Sequence, residues 1–189
     1  MDLESLKKEL RALVRARMPR PGSEEFLAAS VAAQQRLAAS EIASRASVIA
    51  LYRALPSEVG TATLALALSA AGKKVCYPVV VPGARCLEFR RSAGVFVSGS
   101  LGVEEPTGSP VPLASVDLLV VPAIAVDERG SRLGRGRGHY DATLASCAGF
   151  SVALVFESQL VPEVPLGEHD RPVNAICTEA RLHETPLRR

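Results

Sequence analysis

The sequence predicts an α/β protein: a three-layer α/β/α sandwich on a mostly parallel sheet, in a single domain over residues 1–189. Three observations lead there. Short apolar runs with β-branched residues recur along the chain, and helix-like segments separate them. Strands that alternate with helices pair as parallel neighbours, with helices on both faces. A chain of 189 residues, 48% of them hydrophobic, suits one core, since domains cluster at roughly 100–150 residues and single cores extend to about 250.

The elements follow in order. Leu3, Leu6, Leu10, Leu13 and Val14 have helical spacing over 3–17, and Lys7 and Arg11 border that apolar stripe. Pro19, Pro21 and Gly22 end this helix. Ser23 is placed to cap a second helix through about residue 45, with Glu24 and Glu25 in its first turn and Phe26, Ala29, Ala33 and Leu37 on its core face. SVIALY (47–52) reads as a buried strand, 61–72 as a helix ended by Gly72, and KVCYPVV (74–80) as a strand. LEFRR (87–91) alternates like an edge strand or hairpin arm. Residues 98–115 hold three Gly and three Pro and predict a long loop. DLLVVP (117–122) is the most strand-like segment. A loop over 123–138, a helix over about 138–147, and strands SVALVF (151–156) and NAICT (174–178) complete the pattern, and the tail HETPLRR is expected to fray.

Composition narrows the function. A net charge of +2 gives no reason to expect a nucleic-acid or membrane partner. Cys76, Cys86, Cys147 and Cys177 form no CxxC pair, which argues against a zinc site and a disulfide framework, and most read as small buried hydrophobes. The charged start MDLESLKKELR has no apolar signal-peptide core, and no apolar run approaches the ~18 residues needed to span a membrane. The expectation is a cytoplasmic enzyme or binding protein, monomeric or weakly dimeric, acting on small molecules.

The chemistry concentrates in RLGRGRGHYD, Arg132–Asp141. Gly134, Gly136 and Gly138 let backbone amides close on a ligand, while Arg135 and Arg137 carry forked donors that match phosphate oxygens. The segment leaves a strand's carboxyl end and enters a helix, whose first turn adds donors and positive potential. It is neither GxGxxG nor GxxxxGK[ST]. Asp141 at its end, and Asp170 in GEHDRPVN, are carboxylates able to share a magnesium ion with phosphate. Taken alone, each also fits an ordinary helix-start or turn position.

In order and spacing these residues resemble the 5-formyltetrahydrofolate cyclo-ligase (methenyltetrahydrofolate synthetase) family from about residue 7 to 179. VPAIAVDERGSRLGRGRGHYD (121–141) carries most of the likeness. K-x-x-L-R at Lys7–Arg11, Glu58-x-x-Thr61, Glu105–Pro106 and VPxxxHD at Val164–Asp170 support it. The resemblance implies an enzyme that uses ATP and Mg2+ to convert 5-formyltetrahydrofolate to 5,10-methenyltetrahydrofolate, releasing ADP and phosphate. It implies an ATP site of Lys7, Arg11, Arg132, Leu133, Gly134, Arg135, Gly136, Arg137, Gly138, His139 and Tyr140. It implies a substrate site of Glu58 with Arg135, Gly136, Arg137, Gly138, His139 and Tyr140. Arg135 and Arg137 are the implied catalytic cations, and Asp141 and Asp170 the implied metal ligands.

Four positions depart from the family pattern. Arg137 stands where Lys is common, His139 where Tyr is, Ala123 where Gly is and Asn174 where Asp is. Two other readings stay open at the level of residues. One is a folate- or nucleotide-binding relative without turnover. The other is a sugar-phosphate isomerase or acyl-transfer enzyme on a similar scaffold, since fold alone does not fix function.

Overall fold

The first helix, α1 (Leu3–Arg17), starts where the Asp2 carboxylate accepts the Ser5 amide at 2.9 Å. The computed structural model describes residues 2–92, 94–99 and 102–186. Helix α2 (Glu24–Ala38) is capped by Ser23 as its sequence predicts, but it does not run to residue 45. Ser40 accepts the Ala43 amide at 3.2 Å and starts a separate helix, α3 (Glu41–Arg45). A serine hydroxyl that offers the backbone a cap competes with helix continuation.

Strand β1 (Val48–Ala50), helix α4 (Ala62–Ala70) and strand β2 (Lys74–Val79) follow. Next come β3 (Glu88–Arg91), the short hairpin β4 (Phe96–Ser98) and β5 (Glu104–Pro106), and β6 (Pro110–Val111). The long loop expected over 98–115 is therefore largely structured, and its residues 100 and 101 lie outside the described residues. Strand β7 (Leu118–Val121) leads into β8 (Ala125–Asp127) and β9 (Arg132–Leu133), a hairpin where one loop over 123–138 was expected. The chain closes with α5 (His139–Ser146), β10 (Phe150–Leu154), β11 (Leu160–Val161), β12 (Ala175–Cys177) and β13 (Leu182–Glu184). The tail expected to fray thus begins as a strand paired with β12, and residues 187–189 lie outside the described residues.

Among the described residues the main sheet has eight strands in the order β13-β12-β10-β7-β1-β2-β3-β6. Strands β12, β10, β7, β1 and β2 are parallel, and antiparallel strands flank them. β7 explains why the strand signal was so clear. Leu118 and Val120 face one core with Phe26, Leu37, Leu64 and Leu68 of α2 and α4. Leu119 and Val121 face the other, where Leu144 of α5 packs. Both faces are dry, so the strand is apolar throughout. The three-layer sandwich expected from the sequence is present. A third cluster sets Val14 of α1 against Ala125, Leu133, Val161 and Val164.

Buried polar groups fix the segment that follows β7. The Gln159 amide donates to the carbonyls of Ala123 and Ile124 at 2.7 and 3.1 Å. Asp127, 2% exposed, accepts the amides of Arg129, Ser131 and Val164, each at 3.0 Å. The turn it organises needs glycine: Gly130 has φ +78°, and a Cβ there would lie 2.4 Å from the Val173 carbonyl oxygen. No helix among the described residues is long and apolar enough to cross a membrane. The cysteines are free thiols; Cys76 and Cys177 are buried, whereas Cys86 and Cys147 are only half-buried.

Candidate active site

β1 and β7 are neighbours, but the chain leaves them in opposite directions across the sheet. A crevice forms at the carboxyl ends of strands around such a reversal point. Here it is a cleft of about 620 Å³. Tyr52, Arg53, Leu55 and Glu58 after β1 line it, with Pro122, Ala123 and Ile124 after β7 and the whole of Arg132–Asp141. Helix α1 adds Lys7 and Arg11, and the segment before β12 adds Asp170. All the candidate ATP-, substrate- and metal-site residues named from the sequence thus border one space.

The lining of the cleft is of two kinds. One is apolar, with Leu55, Pro78, Val80, Leu87 and Val103. The other is charged, with Lys7, Arg11, Arg132, Arg135, Asp141 and Asp170. Lys7 is buried, unlike the solvated helix edge that local spacing suggests, and its Nζ meets Asp170 Oδ2 at 2.6 Å. The Gly167 amide donates to the same oxygen at 2.6 Å. Desolvation alone would raise the Asp170 carboxyl, but the Gly167 amide, Lys7 and Arg132 outweigh it and hold it below the usual carboxylate value.

Arg132 is 4% exposed and belongs to β9 rather than to a flexible loop. Its Nη2 donates to Asp141 Oδ1 at 2.7 Å, and its guanidinium lies 5.8 Å from the Tyr140 ring centroid. Its buried Nε has no acceptor among the described residues. Leu133 turns its side chain into the third core, so it can offer a ligand only its backbone. Arg11 Nε donates to the Gly134 carbonyl at 2.9 Å and anchors the glycine segment to α1. Gly136 and Gly138 have φ +93° and +72°, conformations that a Cβ would strain. Gly138 caps α5, and the exposed Arg137 precedes it.

Arg135 reaches across the cleft. Its Nε donates to Glu58 Oε1 at 3.1 Å, and the Leu55 amide donates to Glu58 Oε2 at 2.9 Å. His139 turns aside, with Nδ1 3.0 Å from the Arg85 carbonyl oxygen. Burial and then Glu58 push the Tyr140 phenol above its usual range against the pull of Arg132, so it stays protonated and able to donate.

A family model described as the 5-formyltetrahydrofolate cyclo-ligase family matches residues 4–179. The chain belongs to this family. It is 35% identical over 133 residues to the 5-formyltetrahydrofolate cyclo-ligase of Escherichia coli K12, a match covering 66% of this chain and 73% of that protein. It is 37% identical over 93 residues to the cyclo-ligase of Mycolicibacterium smegmatis, where the match spans 48% of the relative and 47% of this chain. The structure resembles the NMR structure of Aquifex aeolicus 5,10-methenyltetrahydrofolate synthetase, with a TM-score of 0.83 and 28% identity, covering 97% of this chain and 95% of the other.

Two features of this cyclo-ligase family member escape sequence reasoning. Arg53 lies in the cleft, three residues past the end of β1, a position that strand topology alone would have flagged. The apolar wall joins Pro78 and Val80, two apart on the β2 segment, to Leu87 before β3 and Val103 before β5, and no local pattern links these three places.

Proposed function

We propose that the protein uses ATP to cyclise 5-formyltetrahydrofolate to 5,10-methenyltetrahydrofolate, with ADP and phosphate as products. One observation carries the reading: a single cleft brings together apolar side chains, suited to an aromatic heterocycle, and a set of cations, suited to polyphosphate. In the reaction the formyl oxygen attacks the γ-phosphorus and the bond to ADP breaks. Nitrogen 10 then attacks the formyl carbon and gives up its proton to solvent, and the carbon–oxygen bond breaks with phosphate as the leaving group.

Catalysis of phosphoryl transfer is mostly positioning and charge stabilisation. Lys7 and Arg11 anchor the phosphates from α1, and the amides and Cβ-free faces of Gly134, Gly136 and Gly138 allow close approach. Arg135 and Arg137 face the charge that builds on the transferring group. The unpartnered buried Nε of Arg132 supports an anion nearby. Glu58 accepts the N–H edge of the pterin, and Tyr140 donates to the nucleotide or pterin. Arg135 and Glu58 hold each other in the ligand-free cleft. That pair is half exposed on the arginine side, so opening it costs on the order of 1 kcal/mol or less.

Asp141 and Asp170 suit a magnesium ion. Each commits one oxygen to the protein, Oδ1 of Asp141 to Arg132 and Arg171, and Oδ2 of Asp170 to Lys7 and Gly167. No group of three or more His, Cys, Asp or Glu side chains forms a cation cage among the described residues. Two carboxylates accord with magnesium, which typically takes one or two and completes its shell with phosphate and water. When bound, the ion supplies neutralising charge to the phosphates. The reading is tested by incubating the protein with ATP, magnesium and 5-formyltetrahydrofolate. The expected result is matched growth of methenyl absorbance and ADP, and ADP without the methenyl product contradicts it.

A further inference from the structure

We infer that Arg53 is a positioning residue that latches the β4–β5 hairpin against the apolar lining of the cleft and so sets the affinity for the ligand seated there. The inference rests on the proposed reaction for the identity of that ligand, a reduced folate.

Arg53 stands at the carboxyl end of β1 and reaches both strands of the hairpin. Its guanidinium carbon lies 4.3 Å from the Phe96 ring centroid on β4 and 5.9 Å from that of Tyr77 on β2. Phe96 in turn meets Tyr77 edge-on, with centroids 5.4 Å apart. The second arm of the guanidinium pairs with the Glu104 carboxylate on β5. One side chain from the main sheet therefore stacks on one hairpin strand and ion-pairs with the other.

The hairpin matters to the cleft because Val103 and Glu105 line it. It forms its own two-stranded sheet, and a two-stranded ribbon alone is marginally stable. Among the described residues it is also tied to the β2 segment by the Tyr77–Phe96 contact and by Glu105 Oε1 accepting the Val80 amide at 3.0 Å. Its outer face exposes Val95 and Val97, at 57% and 50%, and so adds little packing. Without Arg53 the hairpin stays tethered through Glu105 but loses its stacked and paired anchor. Among the described residues the ion pair and ring contacts of Arg53 go to Glu104, Phe96 and Tyr77, and none goes to α1 or Arg132–Asp141, which supply the cations for polyphosphate.

The test compares unmutated protein with Arg53→Ala, Arg53→Lys and Glu104→Gln. In ligand-free protein, Arg53→Ala should speed amide exchange over 94–99 and 102–107 by roughly fivefold to tenfold, the scale of one cation–π contact plus one partly exposed ion pair. Glu104→Gln should give a smaller rise. Arg53→Lys should recover part of the loss, because it keeps the charge but not the planar stack. In turnover, Arg53→Ala should raise KM for 5-formyltetrahydrofolate by a similar factor, with kcat and KM for ATP changed by less than about twofold. Unchanged hairpin exchange, or equal rises in both KM values, overturns the latch. If the unmutated protein does not cyclise 5-formyltetrahydrofolate, the reaction assignment falls. The exchange comparison still decides the latch in that case: a rise confined to the hairpin supports it, and no rise refutes it.

Discussion

Replacing Asp141 by alanine tests what this carboxylate does before any ligand arrives. It is the counter-ion of Arg132, whose side chain is 2% exposed against 19% for Asp141, at 2.7 Å. It also accepts the Arg171 amide at 3.3 Å. Asp141→Ala leaves a buried guanidinium whose Nε already lacks an acceptor among the described residues. Breaking a buried pair by removing one partner costs about 3–5 kcal/mol. Asp141 keeps some contact with water, so the low end applies, about 3 kcal/mol. In a chain of this size that lowers Tm by about 6–12 °C. Urea unfolding of ligand-free protein in the presence of a chelator measures it without any contribution from magnesium. A double variant, Arg132→Met with Asp141→Ala, removes both charges and should recover much of the loss. A single variant within about 0.5 kcal/mol of the unmutated protein, or a double variant at the sum of the two single losses, refutes the pairing.

Other outcomes follow from the same geometry. Arg135→Ala should lower kcat by a factor on the order of a hundred or more while leaving urea stability nearly unchanged; retained turnover removes Arg135 from the site. Glu58→Gln should raise KM for 5-formyltetrahydrofolate more than KM for ATP, and equal changes contradict a pterin contact. Asp117 accepts the Val48 and Ser47 amides at 2.9 and 2.8 Å, which hold its carboxyl below the usual 3.8. A depressed carboxyl stabilises the fold above its unfolded value and loses that contribution as pH falls through the folded one. Asp117→Ala should therefore lower stability at neutral pH and flatten the acid limb below about pH 4; an unchanged limb refutes it.

The parallel core was legible because each central strand is dry on both faces. Leu118–Val121 and Phe150–Leu154 bury residues on both sides and write that into continuous apolar runs. The hairpins were not legible. β9 has two residues, and β5 carries Glu104, Glu105 and Pro106, too short or too polar to show a period of two. Arg132 consequently read as part of a loop when it is a buried strand residue held by Asp141. Lys7 read as a helix-edge cation because spacing along α1 reports only α1. Its burial comes from Asp170, 163 positions away. The glycine–arginine segment itself was legible, since close backbone approach and positive φ at Gly136 and Gly138 demand those residues. Arg53 and the apolar wall were not, because their role depends on how separate strands meet at one end of the sheet.

The central claim is that ATP activates the formyl oxygen within this cleft. It is tested most directly with 5-formyltetrahydrofolate carrying 18O in the formyl group, ATP and magnesium, followed by mass analysis of the phosphate released. The account predicts one labelled oxygen in phosphate for each methenyl product formed. Methenyl product accompanied by unlabelled phosphate contradicts it.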